Sequence, residues 1–159
     1  MTKLSKIVYF FTSFIFFVIF NQYFSSSILK NADKLPENNL FDLVFVQNQG
    51  AAFNILQGSK IFLISFSALA ILGIIFYTIK HIKGAPLVAV FFTSMLSAGI
   101  FCNMYERIVY GYVRDYISLN FIDFPVFNIS DIFINISVLV IVVIIVKKNY
   151  NKTNETDNR

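Results

Sequence analysis

Between Ile61 and Ile79 the chain carries no Asp, Glu, Lys or Arg. A helix needs roughly 20 apolar residues to cross the hydrocarbon core of a bilayer. A charge-free run of that length has no natural partner but lipid in a chain of 159 residues. Three further runs meet the same test: Ile7 to Phe20, continuing toward Leu29 through Asn21-Gln22; Pro86 to about Asn103; and about Asp131 to Val146. Pro86 suits the first position of a helix. The runs are continuous and do not alternate with period two, which argues against a β-barrel. Composition agrees: 57% of residues are hydrophobic and 14% charged, against about a quarter charged in a soluble domain. With Gly 6, Pro 3 and Cys 1, collagen-like, disordered and disulfide-framework classes are excluded. The expectation is an all-α membrane protein of four transmembrane helices, with residues 1–148 one domain.

The first run also has features of a cleavable signal peptide, with Lys3 and Lys6 before it and Ser25-Ser26-Ser27 after it. Its aromatic core flows into Tyr23, Phe24, Ile28 and Leu29, so retention as a first span is the expectation. In a four-span arrangement Lys3, Lys6, Lys80, Lys83, Lys147, Lys148, Lys152 and Arg159 share one side. Lys30, Lys34, Lys60, Arg107 and Arg114 share the other. The first group is larger and clusters at span ends, which makes its side cytoplasmic and places both termini there. The net charge of +4 is thereby explained by the membrane, with no nucleic acid required. Residues 149–159 read as a solvated, disordered polar tail. The two outer connections are long, and strand-like patches at Leu43-Val44-Phe45-Val46 and Tyr112-Val113 predict a small β-cradle on the outer face.

Function is expected on that face. Of 9 carboxylates, Glu155 and Asp157 fall on the tail, and Asp33 and Glu37 in a polar loop. Asp42, Glu106, Asp115, Asp123 and Asp131 lie nearer the outer span ends, where an ionisable group calls for a reason. Asp131 opens span four, at the positive end of a helix dipole. Asp115 lies in the segment joining spans three and four and can fold back toward it. Two carboxylates at a dry interface cannot both ionise cheaply, so one keeps a proton while the other stays charged. That division suits hydrolysis by general acid–base catalysis. The plainer alternative is a helix cap beside a solvated loop charge. Gly99, Asn103 and Arg107, spaced i, i+4, i+8, share a helical face, and Gly99 admits a close helix approach. Asn128 and Asp131 share a face, with Asn135 one turn deeper. Asn48-Gln49-Gly50-Ala51-Ala52-Phe53 reads as a compact turn at the lip of span two. His81 is a lone interfacial histidine. No His/Cys cluster or phosphate loop is present, and no Ser sits beside a His, so neither metal nor cofactor is expected.

Three blocks resemble lipoprotein signal peptidase, the signal peptidase II family. Residues 48–53 are similar to the family's N-x-G-x-A-F loop. Asn103-Met104-Tyr105-Glu106-Arg107 followed by Gly111-Tyr112-Val113-Arg114-Asp115-Tyr116 is similar to its G-N-x-x-D-R-x-x-x-G-x-V-x-D-F block. Phe124-Pro125-Val126-Phe127-Asn128-Ile129-Ser130-Asp131 is similar to its F-P-x-F-N-x-A-D block. The resemblance implies Asp115 and Asp131 as a catalytic dyad, and Asn48, Gly50, Asn103, Arg107 and Asn128 as residues that shape the site or contact substrate. It implies cleavage of bacterial prolipoproteins just before a diacylglyceryl-modified cysteine, at the periplasmic face of the inner membrane. It also implies inhibition by globomycin-type lipopeptides and contact with membrane lipid, in a monomer. The departures are Glu106 for Asp, Cys102 for Gly, Ser130 for Ala and Tyr116 for Phe. In place of a D-Q-x-x-K pattern stands Asn21-Gln22-Tyr23-Phe24-Ser25. The rival expectation is a non-enzymatic four-helix transporter or assembly partner.

Overall fold

A computed structural model describes residues 1–31, 39–51 and 55–157, with side chains as far as Asn151. Asp33, Lys34 and Glu37 of the first outer loop, Ala52 and Phe53 of the loop block, and Arg159 lie outside the described residues. So do the side chains of Lys152, Glu155 and Asp157.

The order of elements is α1 (Lys3–Asn31), β1 (Phe41–Asn48), α2 (Lys60–His81), α3 (Leu87–Val109), β2 (Val113–Leu119) and α4 (Ile129–Asp157). All four helices are long and apolar enough to cross a membrane. Pro86 stands at the N-cap of α3 with extended backbone, since its ring fixes φ and it has no N–H to leave unsatisfied. α4 continues as helix through the polar tail that read as disordered. No Gly or Pro follows Pro125, so nothing breaks the helix once the span has nucleated it.

α3 is the hub, packing against α1, α2 and α4. Its span is 44% buried against 17% for each of the others. Phe17 of α1, Met95 and Ala98 of α3 and Phe133 of α4 form one core cluster, with Phe17 and Phe133 edge-to-face at 5.1 Å. Phe10, Ile82 and Val90 form a second cluster toward the opposite end. There the Lys6 ammonium donates to the carbonyls of Ile82, Lys83 and Ala85 and so closes the short α2–α3 link. Phe62, Phe66, Leu69, Leu72 and Phe76 leave an apolar outer face on α2, as a helix solvated by lipid requires.

β1 and β2 pair antiparallel, from Phe41 opposite Leu119 to Asn48 opposite Val113, with a bulge between Leu43 and Val46. β2 is longer than the Tyr112-Val113 patch suggested. Asp115 therefore sits on a strand rather than in an irregular connection. Phe127 adds a short bridge to Ile117, which lays the segment before α4 along β2.

Candidate active site

The turn from α3 into β2 sets the position of Asp115. Gly111 takes φ +89°, a left-handed conformation that glycine adopts without Cβ strain. Its N–H donates to Arg107 O at the end of α3. The buried Glu106 carboxylate reaches forward, accepting from Arg114 N at 2.7 Å, Nε at 3.0 Å and Nη2 at 2.6 Å. The Arg114 guanidinium also lies 4.5 Å over the Tyr110 ring. The ion pair thus locks the first residues of β2 to the last turn of α3.

The start of α4 sets Asp131. Asn128 Oδ1 accepts from Asp131 N at 3.1 Å, and Asp131 Oδ2 accepts from Asn128 N at 3.1 Å. This reciprocal pair has the logic of a capping box. It satisfies two N–H groups that a helix start leaves open.

Asn128 also joins the two carboxylates. Its Nδ2 donates to Asp115 Oδ1 at 2.6 Å and, more weakly, to Asn103 Oδ1 at 3.3 Å. Asn103 Nδ2 donates to Asp131 Oδ1 at 2.9 Å. Asn48, ending β1, donates from Nδ2 to Asp115 Oδ2 at 2.9 Å and accepts Gly50 N–H on Oδ1 at 2.9 Å. Each carboxylate oxygen of the pair therefore holds one amide donor and keeps a free lone pair. Asp115 is 2% exposed. Burial pushes its carboxyl up to about 6, the negative charge of Asp131 adds to that, and the donors from Asn48 and Asn128 oppose it.

All seven residues expected at the site fall within this network or directly against it. Arg107 joins the network through backbone carbonyls. Nη2 donates to Gly50 O at 2.5 Å and Nη1 to Asn103 O at 3.2 Å, so it ties the 48–51 loop to α3. Its Nε is buried without a hydrogen-bond partner. Gly99 is the close-approach point expected of it. A Cβ there would lie 2.8 Å from Ser130 O and 2.9 Å from Ile134 Cγ1. Asp42 and Asp123 are exposed and take no part in the network. His81 is exposed at the other end of α2, its ring against Tyr77.

Sequence reasoning noted Asn21, Ser25, Tyr116 and Ser130 only as departures from the family pattern and gave them no place at the site. They are buried and joined in pairs, Asn21 to Ser130 and Ser25 to Tyr116. The i, i+4 spacing puts Asn21 and Ser25 on one helical face, but the adjoining Gln22, Ser26 and Ser27 masked it.

Asp115, Asp131, Asn48, Asn103 and Arg107 line a cleft of about 1080 Å³. Its walls are apolar. Leu63 and Phe66 come from α2, Ile100 from α3, and Ile132 and Ile136 from α4, while Phe121, Ile122 and Phe124 to Phe127 form a lip. Phe66 and Ile136 line the cleft and are exposed, so its apolar walls are open.

The family model for signal peptidase (SPase) II matches residues 13–147. The lipoprotein signal peptidase of Streptococcus thermophilus strain CNRZ 1066 is 36% identical over 109 residues, covering 69% of this chain and 71% of the relative. That of Clostridium acetobutylicum is 35% identical over 128 residues, covering 78% and 82%. Among solved structures, a bacterial membrane enzyme obtained by the in meso method at 2.3 Å superposes with TM-score 0.80 at 28% identity, covering 92% of each chain. A second, at 1.9 Å, gives 0.74 at 29% identity, covering 89% of this chain and 94% of the other. A family model that matches most of the sequence, with relatives above 30% identity over more than two thirds of the chain, places the chain in the signal peptidase II family.

Proposed function

We propose that this chain is an aspartyl endopeptidase that removes the signal peptide of bacterial prolipoproteins, cutting just before the diacylglyceryl-modified cysteine. The observation that carries the reading is the pair of aspartates from different elements, joined through Asn128 at the polar end of an apolar cleft. The ionised partner takes a proton from a water molecule as its oxygen attacks the scissile carbonyl. The protonated partner donates to the carbonyl oxygen, giving a neutral tetrahedral intermediate. Collapse returns a proton to the departing amine and breaks the C–N bond, with no covalent enzyme adduct. The pair titrates as a unit, so activity belongs to its singly protonated state.

The cleft suits a substrate anchored in lipid. Acyl chains remain beside Phe66 and Ile136 while the peptide reaches Asp115 and Asp131. In this reading the 48–51 loop, with Asn48 lining the cleft and Gly50 held to Arg107, contacts the passing peptide backbone. A globomycin-type lipopeptide, with its own acyl chain, occupies the same space in this reading. The protein acts as a monomer in the inner membrane, with both termini cytoplasmic and the sheet periplasmic.

Reconstitution with a diacylated prolipoprotein tests this. Asp115→Asn and Asp131→Asn are each expected to lower turnover by at least about 1000-fold while membrane insertion is retained. Asp123→Asn, on an exposed residue outside the network, stays within about threefold. Equal activity of all three variants removes the dyad.

A further inference from the structure

Asn21 and Ser25 lie one turn apart on α1 and are 1% and 2% exposed. Polar groups buried at such depth require partners, and theirs lie far along the chain. Asn21 Nδ2 donates to Ser130 Oγ at 2.9 Å. Ser25 Oγ and Tyr116 OH share a hydrogen bond of 2.8 Å. Each partner is the chain neighbour of one aspartate, since Tyr116 follows Asp115 and Ser130 precedes Asp131. The Tyr116 hydroxyl also faces Ile129 N–H, the first residue of α4, at 3.4 Å, which links α1, β2 and α4 at one oxygen. These four residues are also four of the departures from the family pattern noted above, and they pair two by two.

We infer that Asn21 and Ser25 are positioning residues: from one rigid helix they fix the strand carrying Asp115 and the helix turn carrying Asp131 in a common frame. The inference rests on the dyad reading. Neither side chain touches a carboxylate; each acts through the neighbour it holds. Separating two cooperating groups by a fraction of an ångström costs rate before it costs binding. Removing either member of a buried pair already breaks its hydrogen bond, so removing the second adds little. The pairs should therefore behave as coupled units.

Double-variant cycles in the full chain test this, with kcat and KM for a diacylated prolipoprotein read beside thermal unfolding in detergent. Ser25→Ala, Tyr116→Phe, Asn21→Ala and Ser130→Ala are each expected to lower kcat about five- to twentyfold with KM within about twofold. The doubles Ser25→Ala/Tyr116→Phe and Asn21→Ala/Ser130→Ala lower kcat no further than the worse of their singles, because one substitution already cuts the tether. Single variants that lose thermal stability but keep kcat overturn the inference, as do doubles whose loss is the product of the singles. Tyr116→Phe and Ser130→Ala each delete one oxygen and keep the comparison available if an α1 variant does not fold. Asp115→Asn and Asp131→Asn in the same assay separate the layers. Their retained turnover defeats the dyad itself, while their loss beside unaffected α1 variants defeats only the positioning role.

Discussion

Asn128 meets four demands with one residue. Its amide nitrogen serves Asp115 and Asn103, its amide oxygen caps α4 at Asp131 N–H, and its backbone N–H serves the Asp131 carboxylate. A carboxyl brought into such a site is held by donors yet deprived of water, and for Asp115 the loss of water prevails. Its value rises from 3.8 to about 6, so the fold favours the protonated form. The stability this contributes is complete below about pH 4 and is lost as pH rises through about 6. Unfolding measured in detergent across that window should show a loss on the order of 2–3 kcal/mol from this group, and Asp115→Asn should remove it. A stability profile identical in parent and variant contradicts the burial described for Asp115.

Among elements, the contact of α3 with α4 is the least forgiving. The atom nearest a Cβ at Gly99 is a backbone oxygen in the first turn of α4, which cannot swing aside as a side-chain end would. Gly99→Ala is expected to cost about 1–3 kcal/mol and to lower turnover, because the displaced turn carries Asp131. Thermal unfolding and prolipoprotein cleavage check the two effects separately. The sequence made this element pair legible, since small and polar residues at 99, 103 and 107 mark one face of an apolar helix. It marked span ends less well. The apolar run ends at about Asn103, yet α3 continues to Val109, and Glu106 and Arg107 lie buried in its last turn with partners supplied by β2 and the 48–51 loop. The charged residues of Val113–Leu119 obscured β2. An exposed strand is read by alternation, and here both Asp115 and Tyr116 are buried.

At the scale of the molecule, the four spans and their order followed from apolar run lengths, which depend on nothing beyond local composition. The pairings Asn21–Ser130 and Ser25–Tyr116 join positions 109 and 91 residues apart, and no local pattern encodes such a distance. Orientation rests on the clustering of lysines and can be checked directly. Lys83 and Asp123 are both exposed, whereas native Cys102 is buried and should stay silent toward a membrane-impermeant maleimide. In intact cells with a permeabilised outer envelope, Asp123→Cys should label. Lys83→Cys should label only after the inner membrane is broken. The reverse pattern inverts the topology.

The apolar flank of the cleft, between Phe66 of α2 and Ile136 of α4, changes what concentration means for such an enzyme. A lipid-tethered polypeptide arriving there diffuses in two dimensions. Encounter frequency then follows the number of molecules per unit area of bilayer, and diluting a vesicle suspension with buffer leaves the rate per vesicle unaltered.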